Sequence, residues 1–519
     1  MAQHGTGASV AELGYDFRQP AEEAIDRAGG HPGFSRKPTN RERLGAAAPN
    51  DPTRDVQQAL PCLVIVLTRS THARQNIATM LRYGDTKRRP DGTYEVPEVD
   101  MTFDVIVVGA RVAGAATGML LARAGLRVLV VDQAHFPSDT LSTHQIQVPG
   151  VARLARFGLL QPLLDAGTPP TPHVRFQRGG AVVDGEFPAY QGVNMMISPR
   201  RTILDALLVD AARAAGAEVR EACSLVNLVK DRDRVGGVQL RDRGNGRVST
   251  ETALLVIGAD GKHSKVARLA SAPERRTVPP ATFAFYAYWD GLPVKGGEIY
   301  STSGSAASAW PTNDSLTMTY VAGPIADFEA IRRDPTAHLI AALDKAGSLR
   351  ERARAAVQVG RTRGTSDLPN LVRAAYGPGW ALAGDAGLVM DPITGLGIGH
   401  ALRDAELLSS AIVSGLAGSR HLNGSMKGYE KQRNHQTKAA FNWTLDVAGL
   451  RGVNEIEEGL FRTIGADEEE ASQFFGMLTG VVPMRSFFSP AHLIRLIGVR
   501  DFLHLARARS RQEPSEPPG

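Results

Sequence analysis

MTFDVIVVGARVAGAATGMLLARAGLRVLVVD, residues 101–132, is a strand, a helix and a second strand in succession. DVIVVG (Asp104–Gly109) is an unbroken apolar run, as expected of a parallel strand buried on both faces. AGAATGMLLARAG (Ala113–Gly125) is a helix with small residues at its start and Gly125 as its stop. RVLVVD is the next strand and ends on Asp132. Gly109-x-Arg111-x-x-Gly114 occupies the strand–helix turn, and Asp132 follows Gly109 by 23 residues. That spacing is the βαβ dinucleotide fingerprint. Gly109 permits the tight turn, Gly114 lets the helix approach the strand, and the helix N-terminus around Ala113 offers free N–H groups to a pyrophosphate. Asp132, with Gln133 beside it, stands where ribose hydroxyls are received. Arg111 is the departure, because glycine ordinarily stands there. Its side chain must point away or supply its own cation. The fingerprint does not choose between NAD and FAD.

Outward from this unit the chain remains α/β. Ile203–Ala215 is a helix closed by Gly216, and residues 217–257 read as a β-meander with Asp/Arg/Gly turns. A second strand-rich region spans 281–323, where TFAFYAYW alternates aromatics as a half-buried sheet does. After GWALAGD (Gly379–Asp385) the pattern is helical to about Ala508, and 511–519 is a disordered tail. Residues 1–100 lack sustained periodicity and read as a disordered extension or a mis-assigned start before Met101. There are no internal repeats.

Composition narrows the class of function. At 43% hydrophobic and 22% charged, the 519 residues suit a globular protein of two or three domains. The net charge of +5 equals the excess in Arg485–Arg511 alone, which holds six Arg against one Asp. No basic face interleaved with aromatics points to nucleic acid. Two cysteines, Cys62 and Cys223, exclude a disulfide scaffold or cysteine-built metal cluster and suit a reducing cytoplasm. Leu60–Leu67 falls well short of the roughly 20 residues of a membrane span.

Two further segments carry a family resemblance. VIGADGKHSKVARL (Val256–Leu269) and GWALAGDAGLVMDPITGLGIGHALRDAELL (Gly379–Leu408) resemble hallmarks of the group A flavoprotein monooxygenases, whose p-hydroxybenzoate hydroxylase-like fold also serves geranylgeranyl reductases and flavin-dependent halogenases. The first matches that family's Asp-Gly motif at Asp260 and Gly261, with Ser264 and Arg268 in order. The second matches its Gly-Asp motif at Gly384 and Asp385, with Pro392, Gly397 and Asp404 at family spacing. Arg201 and Leu204 match an Arg-x-x-Leu pattern whose arginine contacts the cofactor.

The resemblance implies an α/β fold: a Rossmann-like FAD-binding domain (101–280 and 365–430, with 170–200 on the substrate side), interleaved with a β-sheet substrate domain (281–364) and followed by C-terminal helices (431–510). It implies FAD as cofactor, with Asp385 receiving ribityl hydroxyls and the N–H groups of Gly395, Gly397, Ile398 and Gly399 facing the flavin pyrimidine edge. A polar residue often stands where this chain has Gly399. The implied reaction is hydroxylation of a small organic substrate, aromatic or polyketide/terpenoid-like, by O2 through a flavin C4a-hydroperoxide, with NAD(P)H as a transient reductant. Alkene or prenyl reduction is the alternative, and a non-catalytic flavin module is a third. The halogenase motif Trp-x-Trp-x-Ile-Pro is missing.

No residue is assigned to catalysis, because the flavin carries the redox chemistry. His144, in FPSDTLSTHQ, reads as a solvated or capping loop residue before a donor to substrate. Asp391 reads as a turn former before an acid/base. Of Phe283, Phe285, Tyr286, Tyr288 and Trp289, only one alternating set can line a pocket. The basic, apolar Phe487–Arg511 segment reads as packed on the core and broken near Gly498, since its apolar residues spread around the helix axis.

Overall fold

The computed structural model describes residues 102–418 and 421–510, the last six as backbone alone. The expectations for 1–100 and 511–519 lie outside the described residues. Strand β1 (Phe103–Val108), helix α1 (Val112–Arg123) and strand β2 (Val128–Val131) form in the expected order. β1 runs parallel to β2, pairing Val105 with Val128 through Val108 with Val131. On its other side it runs parallel to the C-terminal half of Val248–Gly258. Glu218–Arg220 and Trp380–Leu382 extend this parallel sheet at either side. The sheet centre is fully apolar because both of its faces are covered.

Val248–Gly258 belongs to two sheets. Its N-terminal half pairs antiparallel with Arg234–Asp242, which pairs with Cys223–Asp231. This is the expected meander with one correction: Glu218–Arg220 belongs to the parallel sheet. Helices α2 (Arg201–Ala214) and α3 (Gly397–Leu416) both pack on α1, so three motif-bearing segments meet around one helix.

The second sheet has seven strands, with β3 (Thr282–Asp290) next to its edge strand Val357–Thr365. His173–Arg178 and Ala181–Glu186 complete its far side. The 281–364 segment is not all sheet. Helices Pro335–Leu343 and Leu349–Ala355 cover one face, and Phe283, Phe285, Ala287 and Trp289 pack with Leu339, Leu343 and Leu349 there. The opposite set, Ala284, Tyr286 and Tyr288, therefore faces the dinucleotide half, where Ala284 meets Tyr320 and Leu368. Alternation along a strand forces this division.

The C-terminal helices include Leu422–Ala448, Glu455–Gly465, Glu468–Thr479 and Pro490–Ser510. The last breaks at Gly498 (φ 76°), as expected. Among the described side chains, packing on the core weakens beyond the break. Leu493 is buried, whereas Val499 and Leu503 beyond it are 58% and 45% exposed. No described helix is long and apolar enough to cross a membrane.

Candidate active site

The β1–α1 turn is built on close approach. Gly109 has φ +102°, and a Cβ there would lie 2.3 Å from the Ala259 carbonyl oxygen. A Cβ on Gly114 would lie 1.7 Å from the Gly109 carbonyl oxygen, so the turn exists only with glycine at both positions. The Ala259–Gly261 loop, bearing the second motif, thus rests on the first. α1 has no side-chain cap and no acidic residue in its first turn. Asp132 turns towards this mouth: its Oδ2 accepts from Ala110 N–H (2.7 Å) and its Oδ1 from Ala134 N–H (2.8 Å). Each oxygen keeps capacity for another donor. Gln133 is exposed beside it, and its carbonyl accepts from Arg243 (3.0 Å).

The Gly384 turn reaches the same helix, since a Cβ on Gly384 would sit 2.9 Å from that of Ala113. Asp385 next to it is solvent-reachable and hydrogen-bonds to nothing among the described residues. Protein nonetheless surrounds it: desolvation raises its carboxyl to about 6, Arg201 and Lys262 draw it back, and Asp404 pushes it further up. Asp404 itself is engaged, accepting from Gly384 N–H (3.2 Å) and Arg403 (2.7 Å).

α3 opens the other side of the site. Pro392–Thr394 forms a short 3-10 turn, and Gly395 (φ +64°) packs against the side chains of Gln145 and Gln147. The helix starts at Gly397, again without a side-chain cap or an acid in its first turn. Ile398 points into the core, but a Cβ on Gly397 or Gly399 would meet no atom within 4 Å. Two uncapped helix N-termini and an unpartnered carboxylate therefore converge around α1. Free N–H groups suit a pyrophosphate at α1 and an electron-rich ring edge at α3, and Asp385 suits polyol hydroxyls.

Three motif residues are committed to the protein itself. Asp260 accepts from the Ser264 hydroxyl (2.5 Å) and the N–H groups of Lys265 (2.6 Å) and Val266 (3.1 Å). It closes its own turn, and burial raises its pKa. Asp391, which is buried, accepts from Thr282 (2.5 Å) and Ile393 N–H (3.0 Å), so it is the turn former the sequence favoured. Arg201 opens α2 and binds the fully buried Asp205 one turn later, at 2.9–3.1 Å. Arg111 reaches the same carboxylate at 2.5 Å, so its side chain does point away from the helix mouth.

His144 differs from its sequence reading. It is fully buried, has φ +66°, and its Nε2 lies 2.5 Å from the Tyr288 hydroxyl. The Tyr286 and Tyr288 rings both stand 5.7 Å away. Its Nδ1 has no partner among the described residues. Burial lowers its pKa to about 4, with Arg201 acting in the same direction and Asp139 opposing, so the ring is neutral at pH 7. Among the described residues the Tyr320 hydroxyl is also buried without a partner, and that of Tyr286 makes no well-formed hydrogen bond; burial raises its pKa, and the nearby Arg363 guanidinium opposes the rise. Tyr320, Arg363 and Asp205 escaped the sequence reading. Only Asp205 carried a signal, its i+4 spacing from Arg201.

Residues 102–444 match the FAD binding domain family, about two thirds of the chain. The chain belongs to that family. It is a flavoprotein oxidoreductase of the group A superfamily, with FAD as its cofactor. Menaquinone reductase of Mycolicibacterium smegmatis is 29% identical over 344 residues, covering 60% of this chain and 76% of that one. Rifampicin monooxygenase of Streptomyces venezuelae is 31% identical over 176 residues, 32% of this chain and 33% of the relative. A flavin-dependent brominase has a similar fold at TM-score 0.61 and 17% identity, over 79% of this chain and 100% of its own.

Proposed function

We propose that the enzyme is a monooxygenase that hydroxylates a compact, oxygen-bearing aromatic substrate, using O2 and electrons from NADH or NADPH. One observation carries the reading. The β3 face turned to the dinucleotide half is aromatic, yet the Tyr320 hydroxyl and the His144 Nδ1 beside it are buried without partners among the described residues. A purely hydrocarbon ligand would leave such groups unpaired, at about 1–3 kcal/mol each. A ring bearing hydroxyl or carbonyl groups supplies the missing partners.

FAD would be held at the α1 turn (Gly109–Gly114), by Asp132, by Asp385, and at the α3 mouth (Gly395–Gly399), with Arg201 adding positive potential. When bound it supplies the redox chemistry, and the α3 N–H groups favour negative charge on the reduced ring. The 170–200 and 281–364 strands form the substrate side.

The menaquinone reductase similarity favours a second reading, the alkene or prenyl reduction that the sequence resemblance also implies. Oxygen uptake by the purified protein with FAD, NADH or NADPH and candidate aromatics separates the two. Substrate-stimulated uptake with product gaining one oxygen atom supports hydroxylation. Product gaining two hydrogens under anaerobic conditions refutes it in favour of reduction.

A further inference from the structure

The one irregular residue of the fingerprint has a place of its own in the structure. Arg111 leaves α1 at its N-cap, where the backbone is extended (φ −81°, ψ −163°) and any residue fits. Its Nη1 donates to Asp205 (2.5 Å) and to the Ser138 carbonyl (3.4 Å). Its Nη2 donates to the Ser138 hydroxyl (3.1 Å) and the Asp139 carbonyl (3.3 Å), and the Phe136 ring lies 5.7 Å from the guanidinium. The loop it grips is fastened at three more points. The Phe136 N–H donates to Glu221 (2.9 Å), which follows Glu218–Arg220 of the parallel sheet. The Asp139 carboxylate pairs with Arg363 of the sheet's edge strand, and His144 meets Tyr288 of β3. Arg111 is therefore the side-chain grip on Ser138 and Asp139 from the dinucleotide side, Glu221 holds the loop's start at Phe136, and the other two fastenings are from the substrate-side sheet.

We propose that Arg111 is a positioning residue: it fixes the loop Phe136–His144 between the flavin half and the β3 face, and its side chain takes no part in holding the cofactor phosphates. Both Nη atoms are occupied by the loop and Asp205. Three geometric features of the loop depend on this placement: the left-handed backbone of His144, its burial, and its bond to Tyr288. Asp205 keeps Arg201 when Arg111 is removed, so no buried charge is stranded and the variant folds. The turnover readout rests on the proposed hydroxylation; the other two do not.

The test is Arg111→Gly, which restores the residue the fingerprint normally carries, with Arg111→Lys and wild type alongside in the full chain. FAD affinity is read by fluorescence titration, loop order by hydrogen exchange of the 136–145 amides, and turnover by substrate-dependent oxygen uptake. Expected for Arg111→Gly are an FAD Kd within about threefold of wild type, faster exchange confined to the loop, and kcat lowered about tenfold or more at saturating FAD. Arg111→Lys, which keeps the charge but not the fork, falls between the two in exchange and in kcat. The proposal is overturned if Arg111→Gly weakens FAD more than about tenfold and Arg111→Lys restores it, since the cation then serves the phosphates. Unchanged loop exchange overturns it whatever the activity. If oxygen uptake is absent in wild type as well, the monooxygenase reading fails, while exchange and affinity still decide the role of Arg111.

Discussion

Gly399→Ala separates a glycine kept for the protein from one kept for its ligand. The substitution falls in the first turn of α3, where a Cβ meets no atom within 4 Å. Nothing in the protein opposes the methyl, so the lower entropy of the unfolded chain should stabilise the FAD-free protein by about 0.5–1 kcal/mol. If the flavin edge lies against this turn, the same methyl intrudes on it. An overpacking penalty of about 2 kcal/mol raises the FAD Kd roughly 30-fold. At FAD near 100 times the wild-type Kd, binding stabilises wild type by about 2.7 kcal/mol and the variant by about 0.9. The order of stabilities therefore reverses: the variant is the more stable without FAD, and the less stable by about 1 kcal/mol with it. Thermal or urea unfolding of stripped and reconstituted protein measures both differences, and fluorescence titration gives Kd directly. Equal FAD stabilisation of variant and wild type would show that the α3 mouth does not contact the cofactor, and the site would have to be redrawn. Loss of stability without FAD would refute the packing argument itself.

Three other outcomes follow from the same geometry. Asp385 has its folded pKa raised to about 6, so the folded protein holds a proton there that the unfolded chain releases. Its contribution to stability is complete below pH 4 and is lost as pH rises through 6; Asp385→Asn should abolish that loss in FAD-free unfolding curves and weaken FAD near pH 7. His144 has the opposite sign. Its folded pKa is about 4, so its contribution is complete above pH 6.5 and is lost as pH falls through 4. Tyr288→Phe strands the buried Nε2 at a cost of about 1–3 kcal/mol, seen by urea unfolding at pH 7. Phe285→Ala and Tyr286→Phe should dissociate packing from recognition. The first removes a ring from the helix-covered core and costs about 3–5 kcal/mol, while the second deletes a buried hydroxyl beside Arg363, changes stability by less than about 1 kcal/mol, and increases KM.

What could be read from the sequence was local. β1, α1 and β2 were legible because a buried parallel strand is apolar throughout and a helix of small residues must follow a tight turn. The alternation in Thr282–Asp290 was legible too, but its facing was not. The Pro335–Leu343 and Leu349–Ala355 helices decide which set lines the site, and nothing inside β3 records where they pack. The break at Gly498 could be seen, whereas the exposure beyond it depends on what the rest of the fold leaves uncovered. His144 was misjudged for the same reason. A histidine among Ser, Thr and Asp looks solvated until Tyr288, 144 residues away, closes over it. Arg111 showed as an anomaly, but Asp205, its partner, lies 94 residues on.

The carboxylates of the motifs show why a motif match and a ligand contact are different claims. Asp260 and Asp404, which carry the resemblance, and Asp391 beside Pro392 are each hydrogen-bonded to their own turn or to a neighbouring arginine. Asp132 is half engaged, with one backbone N–H on each oxygen. Asp385 has no such partner, and water reaches it even though the surrounding protein raises its pKa. An exposed carboxylate with no protein donor keeps both oxygens open to donors from a ligand. A polyol chain brings such donors, and the uncapped N-termini of α1 and α3 offer the complementary N–H groups on either side. Asp260 and Asp391 are therefore features that shape the loops. Asp385, together with the bare first turns of the two helices, is the part of the pattern without a partner in the protein, and it is the part we propose that FAD completes.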